Sequence, residues 1–383
     1  MHHKTFLISL YKKPEEKGSK EKIIKVTRGR YAAPRIVVED KIRRWTGPHV
    51  RSTGEIGRFR IISEKSSGAG GKKSWELIKT LRQVLKFTGS WENISDDGAV
   101  FDLGKEKLVF TTDSFIIDPL FFPGGDIGKI AICGTINDLA VMGVKPIGIS
   151  LAMVIEEGFP EEDFEKIISS INKISQETKI PIVTGDTKVT NKGKIDKIEI
   201  TTAGIGLAKR IINNSGLKLG DKIITSGDLG THGVVILAKR FNYQTKLKSD
   251  SQSIFEEIQS ILKYLTAAKD PTRGGLAANI VEMAEKGRVK IVLEEEKIPF
   301  KKETLALTSL LGIDPFTLPS EGRFIAGVRE KYALKAVKIL QKFNKEAAII
   351  GEVKKGKGVF LKTKIGSLKP ILMPEGKLIP RIC

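Results

Sequence analysis

The chain has 383 residues, of which 40% are hydrophobic and 29% charged, a composition that is normal for a globular protein of one or two domains. No apolar run is long enough to span a bilayer and no signal peptide is visible, and two cysteines, Cys133 and Cys383, exclude a disulfide framework. We therefore expect a cytoplasmic protein that has no membrane partner.

The formal net charge of +20 raises the possibility of nucleic-acid binding. Residues 1–65 contain 17 Lys and Arg against 7 Asp and Glu, a net +10, so half of the excess lies in the first sixth of the chain. The remainder is mildly basic and has no Arg-rich stripe interleaved with aromatic residues. We therefore do not expect nucleic acid to be the main partner.

The first segment, residues 1–62, shows no sustained helix or strand period. A disordered basic extension, a small extra subdomain and a start codon assigned too early are the three interpretations that the sequence leaves open for it.

The next segment, residues 63–94, combines a glycine-rich loop at residues 66–71 with a predicted amphipathic helix at residues 73–86. Glycine lets the backbone approach a phosphate closely, and a helix N-terminus favours anions. Gly68, Gly70 and Gly71 are therefore candidates to bind a nucleotide phosphate, and an ordinary turn is the alternative. The apolar face of the helix is predicted to consist of Trp75, Ile78, Leu81, Val84 and Leu85.

Residues 95–210 are predicted to form a first mixed α/β unit. Its central helix, residues 127–142, follows Asp126, which is a suitable N-cap. A second helix, residues 161–178, has an acidic first turn that suits the helix dipole. The predicted strands are residues 107–112, 147–154, 181–184 and 195–207.

A second α/β unit is predicted over residues 217–368, after a linker at residues 213–220. Its predicted helices are residues 232–239, 254–264, 276–286 and 331–343, and its predicted strands are residues 222–226, 289–293, 324–328, 348–353 and 358–362. The tail, residues 373–383, is short, contains proline and is expected to be extended and flexible.

Residues 111–143 are the stretch around which the candidate chemistry is organised. A strand ends in Asp113, a loop rich in proline and glycine follows, and the central helix then carries Asp138. Acidic groups brought together from separate elements can hold Mg²⁺, which commonly arrives with a nucleotide triphosphate. Each aspartate taken alone is equally consistent with a cap or a solvated position.

Several motifs of the chain are specific in combination. They are Thr111-Thr112-Asp113-Ser114, the run from Phe121 to Lys129, Asn137-Asp138, the run from Gly185 to Lys188, the run from Asp270 to Gly275, Glu321-Gly322-Arg323 and Pro380-Arg381-Ile382-Cys383. With these motifs the chain resembles the AIR-synthase-related (PurM-like) ATP-binding superfamily and, within it, the HypE family of hydrogenase maturation factors, from about Ser66 to the last residue. The resemblance implies an N-terminal ATP-binding α/β domain and a C-terminal α/β domain, both with mixed sheets.

The resemblance also implies an activity, cofactors and partners. Proteins of the HypE family accept a carbamoyl group on a C-terminal cysteine from the carbamoyltransferase HypF. They dehydrate it with ATP to an enzyme-bound thiocyanate, and the cyanide passes to iron held by the HypC–HypD complex for [NiFe]-hydrogenase. ATP and Mg²⁺ are the implied cofactors, and a homodimer is implied by analogy with the superfamily.

The chemistry of such a reaction sets its own requirements. A carbonyl oxygen is a poor leaving group, and transfer of the ATP γ-phosphoryl group to it makes phosphate the leaving group. A base must then remove the N–H proton as the C≡N bond forms. The site therefore needs carboxylates that hold metal, a cation at the phosphates and a base near the carbamoyl nitrogen.

The matching motifs imply a role for particular residues of this chain. Cys383 is the carrier, Lys188 is the cation at the reacting oxygen and Glu321 is the base. The alternatives are a surface lysine for Lys188, an ion pair with Arg323 for Glu321, and a simple helix start for Arg273. The implied metal ligands are Asp97, Asp113, Asp138 and Asp186, and the implied nucleotide-binding residues are Gly68, Gly70, Gly71, Thr112, Asp113, Asn137, Asp186 and Arg273.

Two features depart from the family pattern. In the glycine loop, Ser67 stands where a histidine is expected and Ala69 replaces a serine, and residues 1–62 are foreign to the pattern. A purine-pathway cyclo-ligase or a small-molecule kinase of the same superfamily is the alternative enzyme, although neither needs a terminal cysteine. A basic nucleic-acid-binding protein is the alternative of another class. Cys133 is expected to pack in the core, and His232 to belong to a helix start.

Overall fold

A computed structural model describes residues 71–85, 88–93, 96–375 and Ile382 of the chain. These residues belong to one compact unit, residues 61–383. The predictions for residues 1–62, for Gly68 and Gly70 and for Cys383 lie outside the described residues. Helix α1 (Gly71–Val84) begins the described part and confirms the predicted helix, two residues earlier than expected.

The first sheet has six strands in the order β1-β2-β3-β8-β6-β7. Its neighbouring strands are antiparallel, except that β6 and β7 run parallel. A two-stranded hairpin, β4 and β5, stands apart from it. The strands are β1 (Trp91–Glu92), β2 (Ala99–Asp102), β3 (Lys107–Phe115), β4 (Phe121–Phe122), β5 (Gly125–Asp126), β6 (Lys145–Glu156), β7 (Ile182–Thr190) and β8 (Ile198–Ala208).

Helix α2 (Ile127–Val141) and helix α3 (Glu161–Thr178) follow in the chain, and α2 covers one face of this sheet. The Asp126 carboxylate caps α2 as predicted and accepts from the backbone N–H of Lys129 at 2.9 Å. Every residue of α2 is buried except Lys129 and Asp138. A helix that is apolar almost all round must be enclosed, and α2 is the helix on which the two halves of the molecule pack.

The second sheet has seven strands in the order β10-β12-β9-β13-β11-β14-β15, with β11 and β14 parallel. Its strands are β9 (Lys222–Thr225), β10 (Leu265–Lys269), β11 (Lys290–Glu294), β12 (Ile325–Val328), β13 (Ala348–Lys354), β14 (Gly358–Lys362) and β15 (Leu368–Ile371). The accompanying helices are α4 (Thr231–Arg240), α5 (Phe255–Ile261), α6 (Gly275–Gly287), α7 (Lys302–Leu311) and α8 (Glu330–Leu340).

The predicted two-part mixed α/β architecture is confirmed, and the differences are local. The predicted helix at residues 254–264 is shorter, because α5 ends at Ile261 and a 3₁₀ turn, Leu262–Tyr264, leads into β10. The strand predicted at residues 181–184 continues to Thr190 as β7, so Asp186 and Lys188 lie within a strand. The sequence reasoning missed β10 and α7. No helix of the described residues is long and apolar enough to cross a bilayer.

The apolar face predicted for α1 is mostly exposed in this chain. Trp75, Ile78, Leu81 and Val84 are each at least two-fifths exposed. By contrast, Ala140 and Val141 at the end of α2 pack with Ile258 and Ile261 of α5. The core between the two sheets is therefore built around α2, and the loops beside this helix position the candidate site.

Candidate functional site

Three carboxylates from separate elements meet beside helix α2. Asp97 precedes β2, Asp138 lies near the end of α2, and Asp270 directly follows β10. One carboxylate oxygen from each lies within 4.8 Å of the others. The predicted Asp97 and Asp138 are thus brought together, and Asp270 is a member of the group that the sequence reasoning did not assign to metal.

Burial and mutual repulsion make this cluster electrostatically unfavourable when all three groups are ionised. Burial raises the pKa of Asp138 well above its usual value, and the neighbouring Asp113, Asp270 and Asp97 raise it further. Burial and Asp97 likewise raise the pKa of Asp270 to about 7. A divalent cation would remove this repulsion, and the oxygen ligands are those that Mg²⁺ prefers.

Lysine 269 gives the cluster one positive charge. Its ammonium group forms an ion pair with Asp97 and lies 3.7 Å from Glu282. Burial alone lowers the pKa of Lys269, but the attraction of Asp97 and Glu282 outweighs it and the pKa lies above its usual value. Lys269 also lowers the pKa of Asp270, yet burial and repulsion outweigh it and the pKa values of Asp138 and Asp270 stay raised. The donor set of Asp97, Asp138 and Asp270 therefore fits a divalent cation.

Asp113 lies on β3 on the same side as this cluster. Residues 111 and 113 of one strand share a face, and the Thr111 hydroxyl lies 2.7 Å from the Asp138 carboxylate. Asp113 also contributes to the raised pKa of Asp138. The structure thus brings Asp113 towards the cluster, while its binding of metal or nucleotide stays a prediction.

Glu321 is buried within electrostatic reach of the cluster. Its backbone N–H donates to Asp250 at 2.9 Å, and its Oε1 has no hydrogen-bond partner among the described residues. Burial raises the pKa of Glu321 to about 8, with repulsion from Asp270 and Asp250 adding to it. The alternative ion pair with Arg323 is not formed, because Arg323 pairs with Asp228 at 3.0 Å. A carboxylate in this state suits a general base that acts near neutral pH.

Asn137 fixes the loops around Glu321. Its amide nitrogen donates to the carbonyls of Gln252 and Glu321 at 3.0 and 3.1 Å, and its oxygen accepts from the backbone N–H of Ile254 at 2.9 Å. Both N–H groups of the amide are thereby used. Asn137 joins α2 to the Glu321 loop, and its predicted contact with a nucleotide stays a prediction.

The starts of α1 and α6 lie close together. A side chain on Gly274, which has a φ of +80°, would lie 2.5 Å from the Ala278 side chain and 3.5 Å from the backbone nitrogen of Gly71. Only glycine allows this approach. Arg273 directly precedes Gly274, so Arg273 and Gly71 come from neighbouring helix starts. Two adjacent helix N-termini form a suitable place for phosphates.

Asp186, Lys188 and Thr112 lie on the other face of the first sheet. Directly paired positions place Ser114, Thr201, Ala152 and Asp186 in one row across β3, β8, β6 and β7, and the adjoining row contains Asp113. Since successive residues of a strand alternate, Asp186 points away from the face that carries Asp113. Lys188 is exposed and 3.5 Å from Asp186, and the Thr112 hydroxyl donates to the carbonyl of Thr202. Within one chain these three residues do not join the cluster.

This open face of the sheet is apolar at its other end. Phe110, which is 41% exposed, shares the face with five partly buried neighbours: Trp91, Phe101, Leu108, Ile205 and Leu207. The pairing places Phe101 opposite Leu108, Leu108 opposite Leu207, and Phe110 opposite Ile205. Trp91 packs against Phe101 and edge-on against Phe110, with ring centroids 5.4 and 6.4 Å apart, and Phe110 still remains 41% exposed. The rows therefore form a partly exposed apolar surface.

The penultimate residue of the tail is buried. Ile382 is 3% exposed, packs in the core with Phe122 and Val234, and its carbonyl oxygen lies 2.7 Å from Nε2 of His232. The carrier candidate Cys383 follows it directly and lies outside the described residues. Sequence reasoning placed His232 at a helix start, where it is, but missed this contact. The prediction that Cys133 packs in the core is confirmed, because Cys133 is fully buried and burial raises its pKa to about 12.

Family models cover most of the described chain. The model for the N-terminal domain of AIR synthase related proteins matches residues 95–208, and the model for their C-terminal domain matches residues 218–364. A short match to the second additional domain of threonyl and alanyl tRNA synthetases, residues 46–72, falls almost wholly outside the described residues and carries no argument.

Curated relatives and solved structures agree on a narrower family. The chain is 44% identical over 331 residues to a putative hydrogenase expression/formation protein of Methanocaldococcus jannaschii, covering 82% of this chain and 98% of that protein. It is 38% identical over 349 residues to the carbamoyl dehydratase HypE of Cupriavidus necator, covering 86% and 99%.

Two solved structures are similar over almost their full length. The crystal structure of a HypE–HypF complex has a chain that superposes with a TM-score of 0.73 at 36% identity, covering 78% of this chain and 99% of that one. A hydrogenase maturation protein HypE in complex with ATP superposes with a TM-score of 0.70 at 33% identity, covering 83% and 99%.

Proposed function

The chain belongs to the HypE family of carbamoyl dehydratases, and from this premise we propose that it dehydrates a carbamoyl group on Cys383 to a thiocyanate at the expense of ATP. The product supplies cyanide for the iron of [NiFe]-hydrogenase during its maturation. One observation carries the proposal: the carbonyl of Ile382, next to Cys383, is bound inside the molecule by His232, whose partner loop also supports Glu321.

The residues divide the chemistry between them. The carbamoyl oxygen takes the γ-phosphoryl group of ATP as the nitrogen gives up the first of its two protons. Glu321 then takes the remaining N–H proton, the C≡N bond forms, and the C–O bond breaks with departure of phosphate. The carboxylate Oε1 of Glu321 is suited to this step because it is buried and has no described partner. At a pKa near 8 it is a stronger base than an ordinary glutamate and is still ionised in part near neutral pH.

ATP is the proposed phosphoryl donor, and its supports are the family and the adjacent N-termini of α1 and α6. Asp97, Asp138 and Asp270 are the proposed ligands of Mg²⁺, with Asp113 beside them. When bound, Mg²⁺ would supply charge neutralisation at the phosphates. Lys269 orients Asp97, and the helix starts at Gly71 and Gly274 accept the phosphates together with Arg273.

We propose that the working unit is a homodimer in which the open face of the first sheet meets a second copy. The apolar rows around Phe110 support this, since exposed apolar surface of this kind marks an interaction site. The same face carries Thr112, Asp186 and Lys188, which one chain alone directs away from its carboxylate cluster. A second copy would then bring Lys188 to the reacting oxygen and Asp186 to the metal.

The proposed partners follow the family. A HypF-like carbamoyltransferase loads Cys383, and a HypC–HypD complex accepts the cyanide. The HypE–HypF complex among the similar structures supports the first of these. The cytoplasmic location remains a prediction from the sequence.

Intact-protein mass spectrometry tests the proposal. The protein is incubated with a HypF-like carbamoyltransferase, carbamoyl phosphate and ATP, and the tail is then mapped by peptide mass. We expect a gain of one carbamoyl group on Cys383, followed by loss of one water in the presence of Mg²⁺ and ATP. A C383S variant is the matched control and should gain nothing. A wild-type tail left unmodified by competent partners would refute the proposal.

A further inference from the structure

His232 is buried at the start of α4 and uses both of its ring nitrogens. Nδ1 lies 2.8 Å from the hydroxyl of Ser249, and Nε2 lies 2.7 Å from the carbonyl oxygen of Ile382. A carbonyl only accepts, so Nε2 carries the hydrogen and Nδ1 accepts from the Ser249 hydroxyl. Burial lowers the pKa of His232 to about 4, which keeps the ring neutral near neutral pH. With both nitrogens engaged, His232 has no lone pair left to act as a base.

Residues 121–126, a motif to which the proposed reaction assigns no role, form part of the pocket around this ring. Phe122 contacts His232 edge to face, with ring centroids 5.3 Å apart. The backbone N–H of Ser249 donates to the carbonyl of Pro123 at 2.7 Å. Gly124 has a φ of +98°, and a side chain there would lie 2.8 Å from the Ser249 nitrogen. The turn therefore holds Ser249 against His232, and glycine is required for it.

The same short loop supports Glu321. Ser249 is followed by Asp250, whose Oδ1 accepts from the backbone N–H of Glu321 at 2.9 Å. The backbone N–H of Gly230, just before α4, donates to the Ser320 hydroxyl at 2.8 Å. Two connections therefore link His232 to Glu321. One runs through Ser249 and Asp250, and the other runs through Gly230 and Ser320.

The carbonyl that His232 binds belongs to the peptide bond between Ile382 and Cys383. Peptide groups are planar, so a hydrogen bond to this oxygen restrains the whole peptide group that leads from Ile382 to the next residue. Consecutive Cα atoms lie about 3.8 Å apart, so the anchor acts one residue from the thiol. The burial of the Ile382 side chain supplies the remaining hold on the tail.

We propose that His232 positions the C-terminal carrier: its Nε2–H holds the last peptide bond, and with it Cys383, beside Glu321 for the ATP-dependent step. That Cys383 is the carrier rests on the proposed function, whereas docking of the tail on His232 does not. His232 is a positioning residue, because it contacts the backbone of Ile382 and not the carbamoyl group.

Three variants separate this role from a general structural one. Glutamine in H232Q presents an N–H close to the position of Nε2, asparagine in H232N presents its polar group near Nδ1, and H232A presents neither. A merely structural role would lower the melting temperature of all three variants and would leave H232Q no closer to the wild type than H232N.

The first measurement is the rate at which an aromatic disulfide reagent modifies Cys383 without partners or ATP. Cys133 is fully buried, with a pKa of about 12, so it does not compete. One hydrogen bond holding the tail predicts that H232A and H232N react about three- to tenfold faster than the wild type, and that H232Q stays close to it. The second measurement is the single-turnover rate of dehydration of carbamoylated protein, which should fall by a similar factor in H232A and H232N and recover in H232Q.

A substitution-free comparison covers the case in which a variant fails to fold. Deletion of Ile382 and Cys383 should uncover His232 and raise its rate of modification by diethyl pyrocarbonate, read by peptide mass. An unchanged rate would overturn the inference, and so would wild-type thiol reactivity in both H232A and H232N. A protected tail that is never dehydrated would contradict the proposed function while leaving the docking intact. Wild-type dehydration in H232A and H232N would contradict the positioning role of His232 while leaving the proposed function intact.

Discussion

Charged residues on the two sides of the first sheet are in opposite physical states. On the side that α2 covers, Asp138 of α2 and Asp270, which follows β10, are crowded together, and burial and repulsion raise their pKa values. Asp186 and Lys188 on the open face are each about two-thirds or more exposed and form an ion pair at 3.5 Å. The first group is unfavourable without a cation, whereas an exposed pair contributes about 0–1 kcal/mol to stability.

The difference distinguishes a group of residues that suits ligand binding from one that does not. In the proposed function, the cation that neutralises the buried carboxylate cluster also brings the nucleotide, which gives a reason for a cluster that costs stability. An exposed pair on an open sheet face has no such signature in one chain. It gains a role only when a second surface covers it, which is why the homodimer and the catalytic site belong to one proposal.

The largest expected effect comes from substituting one aspartate on each side of the sheet and comparing the two variants. D138N should lower ATP-dependent dehydration by at least about a hundredfold, the scale of losing one group that stabilises charge in a transition state. It should also raise the melting temperature of the metal-free protein, because one repelling charge is removed. D186N should lower activity as well, and should leave the melting temperature unchanged. Single-turnover rates and thermal unfolding of both variants give the comparison.

Wild-type activity in D138N would contradict a metal-binding role for the cluster. A lower melting temperature in metal-free D138N would contradict the account of repulsion. The charge-preserving variant D138E is the matched control, since it retains the charge and changes its position only.

Mixed dimers test whether the two faces act across copies. D138N and K188A proteins are each expected to be inactive, and each carries the group that the other lacks. If a site takes Asp138 from one copy and Lys188 from the other, random mixing restores about one quarter of the sites. The measurement is the dehydration rate after co-expression or subunit exchange. Activity that stays at the level of the separate variants would place both residues in one chain.

A substitution on the open face can prevent a second copy from binding there. F110D places a charge in the middle of the apolar rows, and we expect monomers in analytical ultracentrifugation together with loss of dehydration. A substitution of the exposed Leu334, such as L334D, changes another exposed apolar residue on α8 and should affect neither. An active F110D monomer would refute the dimeric site.

A smaller effect concerns pH and the base. The ionised form of Glu321 is the reactive one, and its pKa of about 8 places the rise in activity on the acid side of that value. Dehydration of carbamoylated protein should therefore increase about tenfold for each pH unit below the pKa and level off above it. Bound cations lower that pKa, so the inflection should move to lower pH as Mg²⁺ and ATP are raised. E321Q should lose this limb, and an unchanged profile in E321Q would assign the base elsewhere.

The smallest effect is on stability. The pKa of Asp270 is raised in the folded state, so folded protein binds more protons than unfolded protein. Its favourable contribution is complete at pH values below the unfolded pKa and is lost as pH rises through about 7. The metal-free protein should melt lower at pH 8 than at pH 5, by roughly 2–4 °C per kcal/mol. Differential scanning calorimetry should show a flatter pH dependence in D270N and in wild type with Mg²⁺; equal slopes would contradict this.

Local patterns were sufficient for much of the fold. The N-cap at Asp126 and the enclosure of α2 follow from one carboxylate and from a helix that is apolar on nearly all sides. Asp138 was also predictable, because a single acidic residue in a helix that is apolar on nearly all sides suggests a functional role. Its partner Asp270 was not, since β10, which positions it, was missed: the helical pattern of α5 was extended through the 3₁₀ turn towards it.

Contacts between residues far apart in the chain determine the features that local sequence patterns did not predict. The Gly-Asp-Thr-Lys segment at residues 185–188 has turn-forming residues, yet parallel pairing with β6 carries β7 through it, so local preference was overridden. The contact between His232 and Ile382 joins residues 150 positions apart, and neither has a local pattern that announces the other. The amphipathic pattern of α1 predicts an apolar face, but the pattern does not reveal whether other residues cover that face in the fold.

The most direct test of the central claim follows the carbamoyl oxygen. Cys383 is loaded with a carbamoyl group whose carbonyl carries a heavy-oxygen label, and one turnover is run with Mg²⁺ and unlabelled ATP. Phosphoryl transfer to the carbonyl predicts that the label appears in inorganic phosphate, one labelled oxygen for each thiocyanate formed. Label released into water, with unlabelled phosphate, would contradict activation of the carbamoyl oxygen by ATP.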